Sequence, residues 1–105
     1  MKRGEIWWAN LPEPIGRRPV LLISRNEAYA LRANVLVVPL TKVIRGYAVE
    51  TLVTKQDGVP IKSVINTDTI LTISKKLLAE RVTTLSTSKL RLVERAVLFS
   101  LGLDD

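Results

Sequence analysis

Short apolar runs alternate along most of the chain with polar, proline-rich or glycine-containing breaks, a pattern typical of short β-strands. The predicted strands cover residues 5–9, 18–24, 34–41, 49–54, 63–66, 69–73 and 80–85. Two prolines and a glycine make residues 11–16 a loop, and Asp57-Gly58 marks a turn. The strand over 34–41 is almost continuously apolar, which predicts burial on both faces, and Pro39 within it predicts a bulge or an edge position.

Helical signals are strongest near the C-terminus. Residues 26–32 predict a short helical turn and Ser74 caps another, whereas residues 86–101 predict the one long helix. Its apolar positions form two faces, one with Leu90, Val93, Val97 and Leu101 and one with Leu92, Ala96 and Phe99. A surface this wide predicts either a well-buried closing helix or a helix partly covered by a partner subunit. Strands followed by one helix predict a mainly β fold, a small barrel or strongly curved antiparallel sheet with the helix packed across it.

Length and composition bound the class of protein. The chain has 105 residues and is 47% hydrophobic, so we expect a single domain, 1–105, with its own core. No apolar run reaches the length of a membrane span and the N-terminus is too polar for a signal peptide, so we expect a cytoplasmic protein without a membrane partner. Neither cysteine nor histidine occurs. This excludes disulfides and removes both preferred ligands of the usual zinc sites. We expect no metal and no cofactor.

The charge balance points to a class of partner. The formal net charge is +6, from 16 basic and 10 acidic residues spread along the whole length. A compact basic domain attracts polyanions through phosphate contacts and counterion release. Nucleic acid is therefore the expected partner, and a merely soluble basic surface is the alternative.

Two of the predicted strands carry a polar residue at one end. Arg18 stands at the start of the strand over 18–24, and Thr41 at the end of the strand over 34–41. If the strands lie in one sheet, a guanidinium and a hydroxyl share one edge. A guanidinium binds phosphate in a bidentate way, and a hydroxyl orients a phosphate or a water. The alternative is that both are ordinary polar residues at strand ends.

A set of short motifs follows in order along the chain. They are KRGEIWW at 2–8, GRRPVL at 16–21, VPLT at 38–41, GVPIKSVIN at 58–66, TI at 72–73, ERV at 80–82 and SLGL at 100–103. Their order and spacing resemble the MazF/PemK family, the toxins of type II toxin–antitoxin modules. The resemblance implies an SH3-like barrel closed by a C-terminal helix, usually a symmetric homodimer. It also implies a sequence-specific, metal-independent endoribonuclease that a cognate antitoxin inhibits.

The resemblance implies a reaction and residues for it. The family cleaves single-stranded RNA, usually mRNA, by attack of the 2′-hydroxyl, leaving a 2′,3′-cyclic phosphate and a 5′-hydroxyl. Arg18 and Thr41 match its catalytic arginine and its catalytic threonine or serine. Asp68 matches the general base of the PemK branch, although Asn66 replaces the arginine of that branch and its histidine is absent.

Other residues are expected to bind RNA. Arg17, Lys42 and Arg45 are predicted backbone-phosphate contacts, with solvated loop charges as the alternative, and Asn66 is placed in the same group. The loop before Arg17 is shorter than the family commonly has, which bears on sequence preference. A second interpretation is a non-catalytic module of the same barrel fold, similar to the related gyrase-poison toxins, that binds a nucleic acid or a protein.

Overall fold

Seven β-strands form one strongly curved antiparallel sheet in the computed structural model of the protein, which describes residues 1–104. The strands are β1 (Glu5–Asn10), β2 (Arg17–Leu22), β3 (Asn34–Thr41), β4 (Glu50–Val53), β5 (Ser63–Asn66), β6 (Leu71–Ser74) and β7 (Leu78–Thr84). The helices are α1 (Asn26–Leu31) and α2 (Thr87–Ser100), and single 3₁₀ turns span Lys55–Asp57 and Lys75–Leu77. The predicted elements all form, with ends shifted by no more than two residues.

The sheet has the order β4-β5-β3-β2-β1-β7, and β6 pairs separately with β3. All of these pairings are antiparallel. The pairing of β1 with β7 shifts register on either side of the Trp7–Trp8 segment. Such bulges increase the local twist, and the sheet curls accordingly. The predicted curved sheet with a C-terminal helix is confirmed.

The strand β3 is the most extensively paired strand, so the predicted edge position of Pro39 is wrong. Pro39 lies opposite Val20 of β2, in a pairing without a register shift. On its other side, β3 pairs with β6 up to Val37 and with β5 from Leu40 onward. Pro39 therefore lies where the strand changes partners, and a residue without an N–H group is tolerated at such an interruption of the ladder.

Two hydrophobic clusters lie on opposite faces of β2 and β3. Val20 and Val37 belong to a cluster beneath α1, whereas Leu21 and Val38 belong to a cluster beneath α2. All four side chains are fully buried. Because successive side chains of a strand alternate between its faces, these strands contribute to both clusters at once. The predicted two-sided burial of β3 is thus confirmed along its central part.

The helix α2 closes one end of the curled sheet. Ser86 caps it, since its Oγ accepts a hydrogen bond of 3.1 Å from the backbone N–H of Lys89. Val93 and Ala96 are buried against the sheet. Leu92 and Phe99 keep 48% and 51% of their surface exposed, so the second apolar face of the helix remains largely uncovered. Neither helix in residues 1–104 has the length and apolar character needed to cross a membrane.

Candidate active site

A cleft of about 420 Å³ opens at the end of the sheet where β2 begins and β3 ends. The strands β2 and β3 are antiparallel neighbours, so the first residues of one lie beside the last residues of the other. The lining comprises Trp8, Arg17, Arg18, Pro19, Leu40, Thr41, Lys42, Val43, Val59, Pro60, Ile61 and Ser63. Three of these side chains are basic, and within residues 1–104 none of the lining side chains is acidic. The cleft therefore attracts anions and offers apolar walls beside them.

Arg18 is positioned by β2 at the base of the cleft. Its side chain is only partly exposed, and Nη2 donates to the carbonyl oxygen of Ile15 across 3.3 Å. Nε is buried and meets no hydrogen-bond acceptor in the described residues. A guanidinium has five N–H donors, and the described part of the chain engages one of them. Arg18 thus has donors left for a ligand in the cleft.

Thr41 ends β3 on the adjacent strand. Its Oγ1 accepts a hydrogen bond of 3.2 Å from the backbone N–H of Val43, at the start of the following loop. This contact uses a lone pair of the hydroxyl and leaves its O–H free to donate. The hydroxyl is therefore oriented by the loop and able to bind a phosphate oxygen.

Arg17 lies on the other face of β2 and covers Trp8. Its Cζ is 4.9 Å from the centroid of the indole ring. Nη1 donates to Asn10 Oδ1 across 3.0 Å, and Nη2 donates to Glu80 Oε1 across 3.3 Å. Asn10 and Glu80 were missed by sequence reasoning because only the register brings them here. Asn10 of β1 pairs with Arg17 of β2, and Glu80 of β7 pairs with Trp8 of β1.

The far wall of the cleft follows the 3₁₀ turn after β4. Thr54 caps this turn: its Oγ1 accepts from the N–H of Gln56, and its own N–H donates to Asp57 Oδ2 across 2.8 Å. Gly58 ends the turn with a φ of 95°. A Cβ at Gly58 would overlap the Thr83 side chain, so this position requires glycine for space as well as for conformation. The turn thereby directs the chain into the wall at 59–61.

The remaining predicted RNA-binding residues divide between the cleft and other places. Lys42 lines the cleft, next to Thr41. Arg45 lies further along the same exposed loop and outside the lining, and its backbone N–H donates to Glu50 Oε1 across 3.0 Å. A direct RNA contact by either residue stays a prediction.

Asn66 and Asp68 lie away from the cleft. The strand β5 starts at the cleft with Ser63 and leads away from it, so Asn66 is about 10 Å further along the strand. Its Oδ1 accepts from the backbone N–H of Asp68 across 2.9 Å, which holds the turn before β6. Neither residue is part of the lining. The structure does not bring Asp68 together with Arg18 and Thr41 within one chain, so the general-base assignment stays a prediction without support from this cleft.

A buried carboxylate supports β1, which carries Trp8. Glu5 is 6% exposed and accepts from Trp7 Nε1 across 3.0 Å and from the backbone N–H of Lys2 across 2.9 Å. Burial raises the pKa of Glu5, but these hydrogen bonds, the N-terminal charge and Arg81 outweigh it. The pKa of the carboxyl is therefore below its ordinary value of 4.5. A charged Glu5 thus stabilises the start of β1, at the end of this strand remote from the cleft.

Comparison with known proteins identifies the family of this chain. Residues 2–101 match the family model described as PemK-like, MazF-like toxin of type II toxin-antitoxin system. The chain belongs to this family. The resemblance read from its motifs is confirmed, and the cleft of this MazF/PemK toxin contains both residues that matched the family's catalytic pair.

Individual relatives agree with the family assignment. A probable endoribonuclease, MazF5 of Mycobacterium tuberculosis, is 37% identical over 92 residues, which is 87% of this chain and 84% of that protein. The structure of the Mycobacterium tuberculosis toxin MazF-mt6 has a TM-score of 0.87 at 30% identity, over 96% of this chain and 99% of that one. A mycobacterial endoribonuclease in complex with its cognate antitoxin has a TM-score of 0.88 at 23% identity, over 98% and 96% of the two chains, and shares the fold.

Proposed function

We propose that this MazF/PemK toxin is an endoribonuclease that cleaves single-stranded RNA, with mRNA as its target in the cytoplasm. The observation that carries the proposal is the joint placement of Arg18 and Thr41 in one basic cleft. The names of the relatives support it, since MazF5 is described as a probable endoribonuclease. In this proposal residues 1–105 act as a single toxin domain.

The proposed reaction is an internal transfer at one phosphodiester. The 2′-oxygen forms a bond to phosphorus, the bond from phosphorus to the 5′-oxygen breaks, and a 2′,3′-cyclic phosphate and a 5′-hydroxyl result. The proton of the 2′-hydroxyl goes to a base, and the leaving 5′-oxygen receives a proton from an acid. Negative charge builds up on the phosphorane oxygens between these steps, so catalysis requires fixed donors aimed at those oxygens.

Arg18 and Thr41 fit the charge-stabilising part of this reaction. The guanidinium of Arg18 has unused donors toward the cleft, and its planar fork matches two phosphate oxygens. The hydroxyl of Thr41 accepts a hydrogen bond from the backbone N–H of Val43, and its own O–H can donate to a phosphate oxygen from the neighbouring strand. A guanidinium is a poor proton donor to a leaving group, so we assign Arg18 mainly to binding the transition state. Lys42 adds a cation for an adjacent phosphate.

We propose that the reaction needs no metal. The sequence lacks histidine and cysteine, and the cleft supplies positive charge through arginine and lysine side chains instead. Guanidinium and ammonium groups stabilise phosphoryl oxygens by the same electrostatic principle as a bound cation. Cleavage would therefore continue in a strong chelator.

We further propose a symmetric homodimer built in part on α2. Leu92 and Phe99 are about half exposed on one face of this helix, beside Leu52 of β4, which is 42% exposed. These apolar side chains line a shared groove. An isologous contact between two such faces would bury them, as two-fold dimers commonly do.

A cognate antitoxin is the proposed inhibitor. One structural relative, a mycobacterial endoribonuclease, was solved in complex with its cognate antitoxin. The cleft combines basic side chains with exposed apolar ones, such as Val43 and Ile61. An acidic antitoxin segment with apolar anchors, folding as it binds, would complement this surface and block RNA.

The proposed function is tested by incubating the purified toxin with a long single-stranded RNA and with single-stranded DNA of the same sequence, both in EDTA. We expect discrete RNA fragments and intact DNA. RNA that stays intact in EDTA and is cut once magnesium is added would overturn the metal-free reaction. RNA that stays intact under both conditions would favour a non-catalytic toxin of the same fold.

A further inference from the structure

The planar guanidinium group of Arg17 is held in place at the rim of the cleft. It lies over the Trp8 ring, and its two terminal nitrogens donate to Asn10 and Glu80. All three partners sit on β1 or β7, so the side chain is fixed by the sheet rather than by the adjacent loop. It nonetheless keeps 47% of its surface exposed. The open part of Arg17 therefore faces the solvent beside the cleft.

These contacts distinguish Arg17 from the other two basic residues of the cleft, Arg18 and Lys42. Its charge is matched by the carboxylate of Glu80, and both terminal nitrogens are engaged by neighbours. Arg18 has one hydrogen bond to a backbone carbonyl, and the ammonium of Lys42 has no hydrogen bond or ion pair in residues 1–104. Phosphate binding thus falls to Arg18 and Lys42. What Arg17 offers is a flat, weakly hydrated surface.

The register places this surface next to Arg18, the proposed phosphate-binding residue. Arg17 pairs with Asn10, and Trp8 lies two residues earlier on the same face of β1. Arg18 is the next residue of β2 and pairs with Ala9, so it faces the other side of the sheet. The side chains of Arg17 and Arg18 are therefore adjacent in sequence but point in different directions. Along a single RNA strand, a base and its own phosphate also point in different directions.

We propose that Arg17, stacked on Trp8, is the platform on which one base of the bound RNA stacks, and that Asn10 and Glu80 position it. The inference rests on the proposed function, because the ligand is the same single-stranded RNA. Unstacked bases of RNA stack on guanidinium planes and on aromatic rings, and every base has a face suited to this. Arg17 is therefore a stacking contact to a base, in place of the phosphate contact expected from the sequence.

The test compares binding of two strands that carry equal charge. One is a 2′-O-methyl oligoadenylate and the other is a 2′-O-methyl abasic strand of the same length, so neither has a 2′-hydroxyl to attack. Arg17→Lys keeps the positive charge but removes the planar guanidinium on which a base would stack. It should therefore weaken binding of the oligoadenylate about 5- to 100-fold. Binding of the abasic strand should stay within about twofold. Glu80→Gln should also reduce the preference for the oligoadenylate over the abasic strand, but by a smaller factor than Arg17→Lys does.

Two further variants complete the design. Lys42→Ala should weaken both strands equally and lower the salt slope by about 0.7, as the loss of one phosphate contact does on a single strand. Arg25→Lys is the matched control, because Arg25 is exposed beyond the opposite end of β2 and should change neither affinity. If Arg17→Lys binds both strands as the unmodified protein does, or weakens both equally, the platform is wrong. Because neither strand is cut, this result is independent of cleavage, and an inactive toxin that still discriminates would overturn only the proposed function.

Discussion

Arg18 and Thr41 line the same cleft, at the end where β2 begins and its antiparallel neighbour β3 ends. Val20 of β2 pairs with Pro39 of β3, and Arg18 lies two residues before Val20 while Thr41 lies two residues after Pro39. The sheet thus places a guanidinium and a hydroxyl along one cleft.

Removal of the Arg18 side chain should abolish RNA cleavage. Arg18→Ala should lower the rate at least about 10²- to 10³-fold, the typical cost of losing one transition-state donor. Arg18→Lys should be similarly impaired, since an ammonium lacks the planar fork. Initial rates on a labelled RNA measure the effect, and circular dichroism checks the fold. Arg25→Ala is the matched control and should cleave normally, so a folded Arg18→Ala toxin with near-normal rates would show that the site is misassigned.

The hydroxyl of Thr41, rather than its methyl group, should matter for catalysis. Thr41→Val has a similar shape but lacks the donor, so its rate should fall about 10²-fold. Thr41→Ser keeps the donor and should stay within about tenfold of the unmodified toxin. Comparison of kcat for the two variants separates hydrogen bonding from packing. Equal losses in both would mean that Thr41 acts only through the shape of the cleft wall.

Asp68 should contribute little to cleavage if the cleft of one chain performs the reaction. Its carboxylate lies on the turn after β5, whose other end forms the cleft. Asp68→Asn should therefore keep the rate within about threefold, against the 10²- to 10⁴-fold expected for loss of a general base. The pH–rate profile of this variant provides a second readout. A large loss with a changed acidic limb would restore the general-base assignment.

The buried carboxylate of Glu5 predicts a specific dependence of stability on pH. Its folded-state pKa is below the ordinary value of 4.5, so it binds protons less readily than the unfolded chain does. The stabilisation is present above that value and is lost as the pH falls through the folded-state pKa. Urea unfolding between pH 7 and pH 3 should show this loss. Glu5→Gln should be less stable at pH 7 by about 1–3 kcal/mol and should show a shallower pH dependence. Parallel curves for both proteins would contradict the role given to Glu5.

The sequence predicted most of the fold because local signals and hydrophobic periodicity agree along this chain. The Ser86 cap and the apolar spacing of α2 placed that helix within one residue at each end. Pro39 was misjudged because its tolerance depends on where β3 exchanges β6 for β5, which is a tertiary fact. A pattern of residues along one strand contains no information about its partners.

For the candidate site, too, some residues could be predicted from the sequence and others only from the pairing of the strands. Arg18 and Thr41 could be paired in advance because strand ends carry a readable polar signal. The roles of Asn10 and Glu80 could not, since both reach Arg17 only through the pairing of β1 with β2 and β7. Asp68 matched a family position in sequence, yet β5 directs it away from the cleft. Sequence therefore identified the chemical groups, and the register determined which of them meet.

The central claim, attack by a 2′-hydroxyl within this cleft, is tested most directly on a short RNA cut at one mapped position. A single 2′-deoxynucleotide is placed on the 5′ side of the scissile phosphate, and the products are analysed by mass spectrometry in EDTA. We expect the all-ribose strand to yield a 2′,3′-cyclic phosphate and a 5′-hydroxyl, and the substituted strand to stay uncut. Cleavage of the substituted strand at the same bond, or products with 5′-phosphate ends, would contradict it.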